Sequence, residues 1–181
     1  MTLPRRAFLS ALLVAVLAFV AWIATRPPQG PRTDVPQPDS MSTGFKSARL
    51  YFASTSGESL VVETREQLDA QNVHDRVASL VDELERGPRI RGLSTIPAGT
   101  VVQHVYLDDR GLLTLDLSRE FRDGFRGGSA AEFLAIAALT RTLGANLPEV
   151  KRVMLVCAGQ PLPTLGGHLP LDRPIDVADL P

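Results

Sequence analysis

Residues 46–53 alternate, with Leu50 and Phe52 on one side and Arg49 and Tyr51 on the other, the period-two signature of a strand. After Gly57, residues 59–63 form a second extended piece, placed to return as a hairpin. The period then changes. Val73, Val77, Leu80, Val81 and Leu84 share one helical face, and Asp75, Arg76, Asp82, Glu83 and Arg86 share the other. Asn72 is the expected N-cap and Gly87-Pro88 the stop. In the loop 89–99, Ile90, Leu93 and Ile96 are expected to be buried. Residues 100–107 and 112–117 read as strands joined by a turn at 108–111, with Leu113, Leu115 and Leu117 inward and Thr114 and Asp116 outward. A helix follows from Ser129. Ser129 is the expected N-cap and Glu132 the returning half of a capping box, with Phe133, Ile136, Ala137, Thr140 and Leu143 on the core face. Residues 152–158 are apolar at nearly every position, which predicts a central strand buried on both sides. The order β-β-α-β-β-α-β predicts an α+β fold: a two-layer sandwich with two helices on one face of a mixed sheet.

The pattern upstream is different. Residues 7–24 are apolar apart from Ser10, and as a helix they would reach roughly 27 Å, close to the hydrocarbon thickness of a bilayer. Arg5 and Arg6 precede them and Trp22 lies near the far end, which favours the N-terminus inside and the rest of the chain outside. No two alanines stand two apart, so the Ala-x-Ala cleavage signature is missing and an uncleaved signal anchor is expected. Arg5-Arg6-Ala7-Phe8-Leu9 also has the look of a twin-arginine export signal, with Pro4 in place of the usual polar residue. Residues 26–44 are rich in proline and nearly devoid of large apolar side chains, so they predict an extended spacer. The expected organisation is therefore an anchor at 1–25, a linker at 26–44 and one domain at 45–181.

Composition narrows the function. A 44% apolar content suffices for a core, and a net charge of −1 leaves no basic stripe for nucleic acid. Cys157 is the only cysteine, so no disulfide can form within the chain. It lies in the apolar run 153–157, where a small buried hydrophobe is expected, and far from any lipid-bearing position near the N-terminus. No metal or cofactor is expected, because His74, His104 and His168 have no partners at ligand spacing.

Three groups invite chemistry. Glu120 and Glu132 flank the loop 122–128, and paired carboxylates are what glycoside hydrolysis needs. Helix capping by Glu132 and a contact of Glu120 with Arg119 or Arg122 account for both more simply. His168 in the glycine-rich corner 164–168 is expected to bond backbone. Gly127-Gly128 before a helix is a generic anion seat, but Glu132 as a cap would compete with an anion there. Arg86, Arg89 and Arg91 are either a grip for anionic lipid or wall polymer or simply a solvated loop.

The combination Gly92-Leu93, Ile96-Pro97-Ala98-Gly99-Thr100, Leu115-Asp116-Leu117-Ser118, Gly128-Ser129-Ala130-Ala131-Glu132 and Thr164-Leu165-Gly166-Gly167-His168-Leu169 resembles the GerMN domain family. The likeness covers about residues 48–175. It implies a small α/β sandwich akin to ring-building folds of secretion and sporulation assemblies. It also implies a binding or assembly role in the bacterial envelope, with no catalytic residues to carry over. The expectation is a single-pass protein of the cytoplasmic membrane whose outer domain meets an envelope protein, a second copy of itself or the cell wall. A peptidoglycan-remodelling enzyme and a wall glycan-binding module are the alternatives. The sheet face away from the helices is expected to present Arg49, Tyr51, Val102, His104, Tyr106, Thr114, Asp116 and Arg152, a mix of aromatic and polar groups suited to contact, unless Val61, Val62 and the tail 161–171 fold over it, which the sequence leaves equally open.

Overall fold

The computed structural model describes residues 44–179. The apolar segment 7–24 and nearly all of the spacer lie outside them. Among the described residues no helix is long and apolar enough to cross a membrane.

The chain forms β1 (Phe45–Ala53), β2 (Leu60–Leu68), α1 (Val73–Glu85), β3 (Val102–Leu107), β4 (Leu112–Leu117), α2 (Arg119–Asp123), α3 (Ser129–Asn146), β5 (Arg152–Cys157), β6 (Gln160–Pro161) and β7 (Ile175–Asp176). The predicted α+β class and a mixed sheet are present, but the strands divide into two sheets. β3-β4-β5-β6 form one path, with β7 sharing the second edge of β5, while β1 and β2 pair only with each other. β4 and β5 run parallel and the remaining pairs antiparallel. The parallel pair needs a long crossover, which α2 and α3 supply.

The hairpin stays apart because a helix occupies its edge. The N–H of Tyr51 donates to the Thr142 hydroxyl at 3.0 Å and that of Arg49 to the Asn146 side chain at 2.9 Å. The Asn146 amide returns a bond to the Arg49 carbonyl at 2.7 Å. Side chains of α3 thus stand where a neighbouring strand would, satisfying an edge that would otherwise be open. Beyond it, Leu93 bridges to the end of β1. The core joins Leu50 and Phe52 of β1, Val77, Leu80, Val81 and Leu84 of α1, Ile136, Leu139 and Leu143 of α3, and the inward residues of β4 and β5. Both helices therefore pack on one face of the five-stranded sheet. The expected N-cap of α1 is in place, with Asn72 accepting from the Asp75 N–H at 2.8 Å.

Five expectations need correction. β2 is longer than its apolar pattern, because its inward positions past Val61 are Glu63 and Arg65. Arg65 is almost wholly buried. Its guanidinium bonds Glu63 at 2.7 Å, Glu83 at 2.6 Å and the Gly87 carbonyl at 2.7 Å, and stacks 5.3 Å from the Phe52 ring centre. Glu83, expected outside, is therefore inside, where it also pairs with Arg86 and Arg89. Of the three apolar residues expected inside from the 89–99 loop, only Ile96 is buried; Ile90 and Leu93 are exposed. β5 alternates instead of burying both sides, with Met154 and Val156 half-exposed.

The fifth correction concerns α3, which is buried nearly all round rather than on one face. Its N-cap is Gly128, and no side chain caps it; Ser129 is the first helical residue and stands exposed. Glu132 is fully buried. Its carboxylate turns away from the helix start and accepts the N–H of Leu165 at 2.9 Å, the N–H of His168 at 2.8 Å and the His168 Nδ1 at 3.1 Å. Burial alone would push its pKa up, but the N–H groups of Gly166, His168, Leu165 and Leu169 outweigh it and hold the carboxyl down at about 2. The corner closes this tightly because Gly166 has no side chain: a Cβ there would lie 2.8 Å from the Phe125 ring and 3.2 Å from Glu132 Oε2. A capping box and this corner clamp call for the same residue type, so the spacing of Ser129 and Glu132 does not separate them.

Two stability predictions follow from these buried charges. Arg65→Ala leaves Glu63 and Glu83 buried without their cation, and is expected to cost about 3–5 kcal/mol in urea unfolding. Glu132→Gln retains shape but loses the charged acceptor, with an expected cost of about 2–4 kcal/mol at neutral pH. Because the folded pKa of Glu132 lies below its ordinary 4.5, its stabilisation is complete above that value and lost as pH falls toward about 2. The gap between wild type and Glu132→Gln should narrow across that window. An unfolding series in which the gap stays constant from pH 7 to pH 2 contradicts the assignment. Glu63 and Glu83, held low by Arg65 against the upward push of burial, lose stability in the same direction in both proteins.

Candidate functional site

The face of the five-stranded sheet turned away from the helices is built by the alternate residues of β3, β4 and β5. Tyr106 stands opposite Thr114, which stands opposite Met154. His104 stands opposite Asp116, then Val156, then Pro161 on β6. Arg152 closes the row at the other end, opposite Leu112 and Asp176. Tyr106 is 68% exposed. The C-terminal tail does not roof this face: β6 and β7 lie along the edge of β5, and Leu162, Leu165 and Leu171 turn into the core.

The structure brings together five of the eight surface residues read from the sequence, namely His104, Tyr106, Thr114, Asp116 and Arg152. Arg49 and Tyr51 belong to the other sheet. The Arg49 guanidinium is spent on the Ala145 carbonyl at 3.1 Å, and both residues border α3 and the tail instead. Val102 is also removed from the set, because a bulge between it and His104 turns it toward the core. Met154 and Val156 join instead. They escaped notice because apolar residues on both sides of β5 look like two-sided burial.

Within the face, Asp116 is the fixed point. It is almost buried, accepts the Gly159 N–H at 3.1 Å through one oxygen and faces His104 Nδ1 at 3.3 Å through the other. The His104 ring itself is open to solvent. An aromatic ring, an exposed imidazole over a carboxylate, two half-buried aliphatic side chains and a flanking cation thus share one unroofed surface. Such a mix suits association with another macromolecule.

The remaining candidates resolve individually. Glu132 cannot meet a substrate while sealed beneath the corner, so the paired carboxylates of the hydrolase alternative are not assembled. Glu120 is exposed, and the Ser118 hydroxyl with its own backbone N–H lowers its pKa. His168 bonds the Glu132 carboxylate as well as serving the corner through its backbone. Cys157 is buried, its thiol donating to the Ser118 carbonyl at 3.4 Å, and burial pushes its pKa up. Arg86 and Arg89 pair with Glu83 while their side chains stay largely exposed, and Arg91 is exposed as well. Among the described residues no cluster of three or more His, Cys, Asp or Glu is arranged to hold a metal ion.

Known structures share this fold. The first GerMN domain of the sporulation protein GerM from Bacillus subtilis superposes with a TM-score of 0.59 at 22% identity, over 74% of this chain and 99% of that one. The tandem GerMN domains of the same protein give 0.61 at 19% identity, over 75% of this chain and 48% of theirs, so this chain spans about half of the pair. A Clostridium perfringens protein designated a lipoprotein gives 0.53 at 21% identity, over 76% of this chain and 91% of that one. Comparison with curated proteins yields no match. Such identities establish the fold. The family model described as Germane, sporulation and spore germination, matches residues 49–163 of the sequence itself. That span exceeds half the chain and runs from β1 to the start of the tail: the protein belongs to the Germane family of sporulation and spore-germination domains.

Proposed function

We propose that this chain is a membrane-anchored, extracytoplasmic binding or scaffold module of the bacterial envelope, and that it docks a protein partner or a second copy of itself on the unroofed sheet face. The observation that carries the reading is that face. Its best-exposed residues, Tyr106 and His104, are an aromatic and an imidazole, and its flanking positions are Met154, Val156 and Arg152. Aromatic, Met and Arg side chains are enriched in protein interfaces, while a sugar platform calls for a stacking tryptophan. The only tryptophan, Trp22, lies in the N-terminal apolar segment. Residues 7–24 support the anchoring reading, since their length and flanking Arg5 and Arg6 suit a bilayer. The lipoprotein designation of the Clostridium perfringens relative supports an envelope location by analogy.

The double variant Tyr106→Ser, Met154→Ser removes apolar area from the face and touches no core residue. It is expected to keep the wild-type denaturation midpoint within about 0.5 kcal/mol. Self-association in ultracentrifugation, or retention of a cross-linked envelope partner, should fall at least about tenfold. Tight binding to purified cell wall by a strict monomer would replace the assembly role with a wall-binding one. For location, protease added to spheroplasts is expected to degrade the domain while intact cytoplasmic markers survive. Recovery of the full chain in the soluble cytoplasmic fraction would end the anchored reading.

A further inference from the structure

A second surface, independent of the sheet face, is a cleft at the start of α3. Its walls are the 93–98 loop on one side and residues 124–126 with the first turns of α3 on the other. Leu93, Ile96, Pro97, Phe125, Ala130 and Leu134 make it largely apolar. Three polar features border it. The first is the bare N-terminus of an 18-residue helix: Gly128 has no side chain to cap it, and Glu132, the residue placed by spacing to do so, is committed to the corner at 164–169. The N–H groups of Ser129, Ala130 and Ala131 thus have no protein acceptor among the described residues, and all three residues are exposed. The second is Thr95, which lines the cleft, is only 9% exposed and has a hydroxyl with no hydrogen-bond partner among the described residues. Buried hydroxyls ordinarily have partners, so this one marks a bond left to be made. The third is Arg126, which lines the cleft and uses NH1 on the Asp123 and Phe125 carbonyls, leaving its other donors uncommitted.

We propose that this cleft is a binding site for an acidic peptide segment, its carboxylate seated on the N–H groups of Ser129, Ala130 and Ala131 beside Arg126 and its neighbouring apolar side chain packed between the loop 93–98 and α3. A helix start carries about half a positive charge and favours an anion. A carboxylate suits it better than a phosphate dianion for two reasons. Arg126 is the only Lys or Arg lining the cleft, and Glu85 stands at its rim with one oxygen on the Gly99 N–H at 2.8 Å. A carboxylate followed by an apolar side chain matches both the single cation and the apolar walls, whereas a free anion would leave the walls in water.

The test uses the full 15N-labelled chain in detergent micelles and two pools of N-acetylated, C-amidated tetrapeptides, one carrying Leu-Glu at its centre and the other Leu-Gln. The Leu-Glu pool is expected to shift the amide signals of Thr95 and Ser129 to Ala131, and to bind at least tenfold more tightly than the Leu-Gln pool. Ala130→Asp places a carboxylate in the exposed first turn, and is expected to abolish binding without lowering the melting temperature. Arg126→Gln and Thr95→Val should each weaken binding about threefold or more with the fold intact by amide spectrum. Equal binding of the two pools, shifts confined to other residues, or unchanged binding by Ala130→Asp would overturn the proposal. So would inorganic phosphate moving the same amides where neither pool does. Since Tyr106 and Met154 lie on another surface, the Tyr106→Ser, Met154→Ser chain should bind the pools normally, which separates failure here from failure of the sheet-face reading.

Discussion

The buried carboxylate of Glu132 holds together parts of the domain that share no other reason to meet. It lies on the helix at the centre of the molecule, and its acceptors are filled by a corner more than thirty residues later in the chain. Without that corner, α3 would carry an unpaired charge in its buried interior; without the charge, the corner's N–H groups would point into protein with nothing to receive them. The same commitment empties the helix start of its natural cap. One side chain thus closes the tail over the core and leaves the opposite end of its first turn open.

A second buried charge system plays the corresponding part at the hairpin. Arg65 reaches from β2 to Glu83 and Gly87, so the end of α1 and the loop after it are registered against the sheet by directed bonds as well as by apolar packing. Together with the Thr142 and Asn146 contacts to β1, this explains how two strands can sit beside helices without joining the larger sheet. The architecture is two sheets joined by the helices through one core, rather than a single continuous sheet.

Where the chain's chemistry is repetitive, the structure was legible beforehand. α1 has a clean apolar face and a polar cap, and β4 alternates strictly, so both stand where their patterns put them. The hairpin was half legible, because charged residues at the inward positions of β2 broke the apolar alternation on which a strand assignment rests. α3 misled in a different way. A helix surrounded on all sides has no polar face to read, and a Glu three residues after a Ser satisfies a capping rule whichever way its side chain turns. The open sheet face was partly legible for a simple reason: positions two apart on β3 and β4 must share a side, but which strands lie next to one another is decided by long-range contacts. Hence His104, Tyr106, Asp116 and Arg152 belong together, and Arg49 and Tyr51 do not.

The distance along the chain between Glu132 and its partners has a bearing on how the domain comes into being. A nascent chain that has emerged through α3 but not yet through residue 168 has no N–H groups to receive the carboxylate. Packing the helix at that stage would strip water from a charge with no compensation. Contacts between segments so far apart in sequence also form slowly, since the intervening loop must first be closed. The core is therefore disfavoured until nearly the whole domain has been made. Completion of the domain is thus tied to the arrival of its last segment, and a chain cut short before residue 168 would lack the groups its central helix needs.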